Sequence, residues 1–499
     1  MMETKKRLTF PGHFDWDANE TTDSFVCTIE YELFDPTSLD VRLMLLGDEE
    51  RVRQSYNKLI SLKYNHLRLH SNRRGIPSVE VLGIRGVGGK LWEAEINASA
   101  VEMGIVDASL KNGCECWALA QLMPSGILSD QSMREFLPTG EIKKSGGWEG
   151  SVEVTTPLGT LCAEEITRRD ETCQYGDRVI HLVERVVIRG GIATYGGKSL
   201  REIHESLVTE LDDICLMLSL CYRQGVRYYD ISYDILDKAG EQREFQEASL
   251  RVKQHACTER RKRSDELIHF RDLVSGGLER LVRAFQNTVN RDALRRGITF
   301  LAASSDPHTV ESCYFFAYSA LESVLSSVDG STPVLLSASQ WKKLEKYLRE
   351  HLDLYSEERG LTDVAMMKDK LPELRRTPAV QHIEKVCRRL GVKTDDLWTR
   401  HGFAGGVERA TNLRNDLFHS ALCKDARDLN GHLIRLRVLT ERIILKILKW
   451  PDESIWVHHD QMVKWANIGS ADSRDQSEGN PGSGIATTER TSSPSAANP

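Results

Sequence analysis

Apolar and polar residues alternate along much of the first 190 residues of the chain. Phe25-Val26-Cys27-Thr28-Ile29-Glu30-Tyr31 follows this pattern, and so does Leu91-Trp92-Glu93-Ala94-Glu95-Ile96. A period of two places one side of an extended segment on a core and the other in water, so these runs predict β-strands. Val152-Glu153-Val154 leads through a Pro157-Leu158-Gly159 turn into a further extended stretch. The longest run covers Val179–Ile188. Gly and Pro punctuate these segments at the short intervals of a sandwich or barrel. Gly83–Gly89 is glycine-rich, opens no helix and reads as a hairpin loop.

The period changes near Ser199. Leu200, Ile203, Leu207, Leu211, Ile214 and Leu218 recur at spacings of three and four, which predicts a helix. A strand-like Val226–Ile231 follows, then a charged stretch around Arg260–Arg263, which reads as a solvated boundary. From Leu267 the pattern is helical almost to the end. Asp306 and Pro307 suit the cap and first position of a helix whose face is Cys313, Phe316, Ala317, Ala320, Leu321 and Val324. Further helices are predicted over Ser339–Tyr355, Val380–Leu390, Gly406–Ala421 and Leu429–Trp450. The expected fold class is therefore α+β and multidomain. A β-rich part spans 1–197, a helical connector 198–300 and an all-α bundle 301–452. Residues 467–499 hold hardly an apolar side chain and read as a disordered tail.

The chain has 499 residues, which is too many for one core. Its net charge of −7 excludes a general nucleic-acid coat, which needs a basic field, but leaves room for a local basic groove. One such strip is expected on the last helix, where Arg435, Arg437, Arg442, Lys446 and Lys449 stand against Glu441 alone. The apolar runs are too short for a membrane helix. Eleven scattered cysteines without a C-x-x-C spacing suit a reduced, cytoplasmic protein. Cys114 and Cys116 lack a matching second pair, so zinc is not expected. His458-His459-Asp460 reads as a surface cap rather than a metal site. The Gly191–Ser199 segment resembles a phosphate-binding loop, but it carries one residue too many before Gly197-Lys198-Ser199 and reads as a plain strand–turn–helix joint. Neither a metal nor any other cofactor is expected.

The sharpest chemical pattern is Arg414-Asn415-Asp416-Leu417-Phe418-His419. On a helical wheel Val407, Ala410, Leu413, Leu417 and Ala421 gather on one side and must face a core. Glu408, Asn412, Asn415 and His419 gather on a different flank, with Asn415 and His419 stacked at i and i+4. Arg414 sits on the edge between the two.

Arg414, Asn415 and His419 in this spacing, on a helix of a bundle, resemble the HEPN family (higher eukaryotes and prokaryotes nucleotide-binding domains). The early helix with Ala320-Leu321-Glu322 and the long last helix are similar to that family too. A β-rich N-terminal part, a connector and then this bundle resemble its ApeA-like subgroup. The resemblance implies a metal-independent endoribonuclease, usually a homodimer, serving anti-phage defence or acting as a toxin under a phage or host trigger. The RNA 2′-hydroxyl would attack the neighbouring phosphate, which needs a base, an acid and cations. Histidine titrates near about pH 6.5 and serves either proton task, while an arginine fork matches phosphate oxygens. His419 is thus the expected acid or base, Arg414 the phosphate ligand and Asn415 their support. One histidine per chain, where the reaction prefers two, favours a C2 dimer. A second reading of the same residues is a non-catalytic module that binds RNA, a nucleotide or a protein partner. The β-rich part is expected to recognise the trigger or the RNA and to bias the bundle between inactive and active dimers.

Overall fold

A computed structural model of the chain describes residues 5–14, 24–32, 39–60, 66–71, 79–82, 85–90, 95–99, 102–105, 115–123, 133–136, 142–145, 151–174, 177–192, 200–236, 249–252, 266–305, 309–329, 334–360, 362–375, 377–399, 401–420, 426–451, 459, 461–464 and 466. The fold is α+β, with strands in the N-terminal part and mostly helices in the C-terminal half. The tail 467–499, the joint 193–199, the Arg260–Arg263 run and the pair Asp306-Pro307 lie outside the described residues.

Alternation turns into burial where it is strict. Asp40–Leu46 and Val152–Thr156 bury every second side chain. Phe25, Cys27 and Ile29 of strand Ser24–Glu32 are fully buried. The hairpin joining Val152–Thr156 to Gly159–Gln174 turns on Pro157-Leu158, as expected. The Thr156 hydroxyl donates to the Gly159 carbonyl at 2.8 Å, and Gly159 holds φ +137°. A Cβ there would sit 2.5 Å from the Gly191 carbonyl oxygen, so the turn requires glycine. Gly159–Gln174 continues as a long hairpin with Asp177–Ile192. Arg85–Lys90 is a strand, contrary to the expected loop, and pairs with Glu95–Ser99. Its glycines are accommodated by a register shift between Arg85 and Gly88, on the last strand of the sheet order.

Among the described residues, fourteen strands share one continuous antiparallel order, with Val152–Thr156 and Arg85–Lys90 as its two ends. Residues from both sides of the first long helix build this sheet. Arg227–Leu236 lies beside Glu115–Met123, and Ser249–Val252 links Arg227–Leu236 to Glu102–Ile105. The segment expected as a helical connector thus supplies two strands as well.

The described helices are α1 (Glu49–Ile60), α2 (Leu200–Tyr222), the single turn α3 (Phe270–Asp272), α4 (Leu278–Gln286), α5 (Arg291–Ala303), α6 (Val310–Asp329), α7 (Ala338–Arg359), α8 (Val364–Lys370), α9 (Ala379–Leu390), α10 (Gly402–Ser420) and α11 (Ala426–Ile447). Their limits follow from local chemistry. The Thr309 hydroxyl accepts from Ser312 N at the head of α6. Ser337 and Gln340 form a reciprocal capping box on α7. Gly391 ends α9 in the left-handed region. The predicted faces of α2 and α6 are largely buried: Ile203, Leu207, Leu211, Ile214 and Leu218 on α2, and Cys313, Ala317, Ala320, Leu321 and Val324 on α6, while Phe316 is half-buried. One hydrophobic core runs from the sheet residues Cys116, Ala118 and Ala120 through α2 into the bundle.

Two buried ion clusters tie α2 to the bundle. Asp213, fully buried, accepts from Arg291 and Arg295 of α5. Arg223, just after α2, forks onto Glu441 of α11 with both hydrogen bonds at 2.6 Å. His459 Nε2 lies 2.8 Å from the same carboxylate. Burial would raise the Glu441 carboxyl, but Arg223 and His459 draw it well below the ordinary range. Two expectations are corrected here. His459 is buried, not a surface cap. The arginines of the basic strip expected on α11 do not form an open face either, although Lys446 is half-buried and Lys449 exposed. Arg442 is buried and forks onto Asp396 at 2.7 and 2.8 Å, Arg435 is buried and donates to the Ala466 carbonyl at 2.9 Å, and Arg437 donates to Ser305. Packing on several sides of α11 desolvates these guanidinium groups, so each needs a fixed acceptor.

Acid should weaken this interior. His432 is buried, and the Trp398 indole donates to its Nδ1 at 3.2 Å. An indole only donates, so the ring proton belongs on Nε2, which faces Asp428 at 3.6 Å. Burial pushes the His432 pKa down to about 4, with Arg435 and Arg409 acting in the same sense and Asp428 against it. Burial also lowers His459, against the pull of Glu441. Both imidazoles therefore bind protons more weakly in the folded chain than in the unfolded one. The unfolded state binds more protons below the ordinary histidine pKa, so stability falls as the pH drops through that window. His432 alone accounts for on the order of 3 kcal/mol. Denaturant melts at about pH 7.5 and about pH 5 check this: a lower midpoint is expected at the acid value, and equal midpoints would refute the assignment.

Candidate functional site

The Arg414–His419 segment lies in the last turns of α10. That helix is held on several sides. Val407 and Ala410 are buried, and Gly406 lets the Trp398 ring lie so close that a Cβ would meet it at 2.0 Å. From α6, the Tyr314 hydroxyl donates to the Ala410 carbonyl at 2.7 Å, and the Tyr318 hydroxyl lies 3.1 Å from Thr411 Oγ1. Toward α11, Arg409 donates to Asp428 at 2.8 Å. Leu413 and Leu417 are half-buried on the core side, and Ala421 lies outside the described residues. Glu408, Asn412, Asn415 and His419 are all exposed, as the wheel predicts.

Arg414 is one-third exposed and faces the seam between α6 and α10. Its guanidinium carbon lies 4.6 Å from the Phe418 ring centre and 5.6 Å from that of Tyr318. It donates to Asn415 Oδ1 at 3.2 Å. The nearest carboxylate oxygen, on Glu322 of α6, is 3.8 Å away and half-exposed, which is a weak pairing rather than a fork. Desolvation in the seam raises the Glu322 pKa, with Arg414 acting in the opposite direction. Burial likewise raises Tyr318. Arg414 and Asn415 are thus in contact, while His419 stands one turn beyond Asn415 on the exposed flank and makes no side-chain hydrogen bond to a described residue.

Beside Arg414 a cavity of about 370 Å³ opens between α6 and α10. Glu311, Phe315 and Phe316 of α6 line it with Arg414, Leu417 and Phe418 of α10. Phe315 and Phe418 meet edge to face with ring centres 5.3 Å apart, yet stay 42% and 56% exposed. Among the described residues, no cluster of three His, Cys, Asp or Glu side chains is placed to hold a metal ion.

The surroundings of the motif are the part that sequence reasoning missed. Tyr314, Tyr318 and Glu322 recur every four residues on α6, and Glu311 and Phe315 form a second such pair beside them. That spacing places each set on one helix face and was the available signal. The chain matches no family model, no curated protein and no solved structure. None of the described helices is long and apolar enough to cross a membrane.

Proposed function

We propose that the chain is a cytoplasmic, homodimeric endoribonuclease of HEPN type, acting in anti-phage defence or as a toxin. The observation that carries this reading is the division of labour along α10. Its core side is buried, its outer flank presents Asn415 and His419 to solvent, and Arg414 rests on aromatic rings with only a distant carboxylate partner. In the reaction, His419 removes the proton from a 2′-hydroxyl or delivers one to the leaving 5′-oxygen. Arg414 binds non-bridging phosphate oxygens, and Asn415 steadies the guanidinium. A second chain brings a second His419 for the complementary proton transfer.

The β-rich part serves recognition. Its link to the bundle is supported by the Asp213 and Arg223–Glu441 clusters, which join α2 to α5 and α11. One rival is a module that binds RNA, a nucleotide or a protein partner without cutting RNA, and the Glu322 carboxylate near Arg414 favours its protein-binding form, because it opposes a phosphate there. Incubating end-labelled single-stranded RNA with purified protein in excess EDTA separates the two. Cleavage is expected to persist, with 2′,3′-cyclic phosphate and 5′-hydroxyl ends. Binding without cleavage, strict dependence on magnesium, or 5′-phosphate ends would sink the proposed reaction.

A further inference from the structure

The cavity beside Arg414 is more than a rim of the phosphate site. Glu311 and Phe315 stand one turn apart on α6, and Arg414 and Phe418 one turn apart on α10, so each helix contributes a charge and an aromatic ring to one opening. Large aromatic side chains normally bury most of their surface. Here two that touch each other leave about half of theirs open, at an open-sided cleft whose volume of about 370 Å³ admits a flat ring. Glu311 lies in the first turn of α6, where a carboxylate also complements the helix dipole. Among the described residues no ion pair of Glu311 is seen, so its oxygens remain available as acceptors.

We infer that this cavity receives one unstacked base of single-stranded RNA, next to the phosphate that Arg414 binds, and that it favours guanine. The inference rests on the preceding reading of Arg414 as a phosphate ligand and adds the nucleotide's other half. A base joined through its ribose to that phosphate reaches the same opening. Phe418 and Phe315 offer π-surface to it, as single-strand binders do with successive bases. The Glu311 carboxylate accepts from the base edge. Guanine presents two adjacent N–H donors there, matching two carboxylate oxygens, whereas adenine and cytosine present one amino group and uracil one imino group. A paired and stacked base cannot enter, so the pocket selects single strands.

The test uses the full chain and UXU trinucleotides with 2′-O-methyl groups, which block 2′-hydroxyl attack, where X is guanine, adenine or an abasic site. Affinity is read by fluorescence anisotropy, and thermal melts confirm that each variant folds. The wild type should bind the guanine trinucleotide roughly ten- to hundredfold more tightly than the abasic one. Phe418→Ala should erase that difference. Glu311→Gln should erase the preference for guanine over adenine and keep the preference for a base over none. Equal binding of guanine and abasic trinucleotides by the wild type, binding of neither, or an undiminished difference in Phe418→Ala would overturn the pocket. Cleavage of long RNA in EDTA is scored separately. Cleavage without base discrimination removes the pocket and leaves the ribonuclease reading standing, while discrimination without cleavage does the reverse.

Discussion

Replacing Glu441 with alanine will destabilise the folded chain by about 3–5 kcal/mol, the usual effect of removing one member of a buried ion pair. Glu441 is fully buried and holds three groups: both branches of the Arg223 fork and the His459 ring. Without it, the Arg223 guanidinium, only 4% exposed, loses both hydrogen bonds of its fork at 2.6 Å. Arg223 is also one of two non-glycine residues described with positive φ, at +51°, so the turn after α2 depends on that anchor. The damage should fall on the α2–α11 contact and lower the denaturation midpoint of the whole shared core. Changing both partners to apolar residues, Arg223→Met with Glu441→Leu, should cost less than Glu441→Ala alone, because no charge is left stranded. A single variant within about 1 kcal/mol of wild type would show that the pair is not desolvated in the way its burial implies.

Much of this architecture was legible in the chain. The strands around Phe25 and Val152, the first turns of α2 and the faces of α6 and α10 follow from period, because each of these buries a single face, whereas from Asp213 to Tyr222 α2 is buried all round. Other features were not legible, for definite reasons. Ser249–Val252 pairs with Glu102–Ile105 across about 150 residues, and no local pattern encodes a partner so distant. Arg85–Lys90 hides a strand behind glycines, because at the end of a sheet a poor strand former is tolerated when one neighbour holds it. On α11 the arginines read as an open basic strip, since a wheel counts polarity but not what covers it. Asp396, Ser305 and the Ala466 carbonyl, which accept from those arginines, all lie on other segments. For the candidate site, the wheel placed Asn415 and His419 on an open flank and Arg414 on an edge. It did not foresee the α6 side of the seam, where Tyr318, Glu322 and Phe315 surround the guanidinium and the cavity. A bundle cut at residue 301 would lack most of α5 and would leave Glu441 without Arg223. The hydrophobic core thus includes residues on both sides of position 301.

The largest functional effect is expected at His419. It is the one imidazole of the motif, able both to accept and to donate a proton, and it is free of the core, since its helix buries Val407 and Ala410 on another side. Losing a positioned acid or base costs roughly 10²- to 10⁴-fold in rate. An exposed substitution on a well-anchored helix changes stability by no more than about 0.5 kcal/mol. In a C2 dimer both proton transfers use this residue, so the loss should lie at the upper end of that range. The decisive measurement compares wild type and His419→Ala for cleavage of end-labelled RNA, with melting curves taken on the same preparations. The account predicts cleavage by wild type, its loss in His419→Ala, and superimposable melts. Equal cleavage by the two proteins would contradict it.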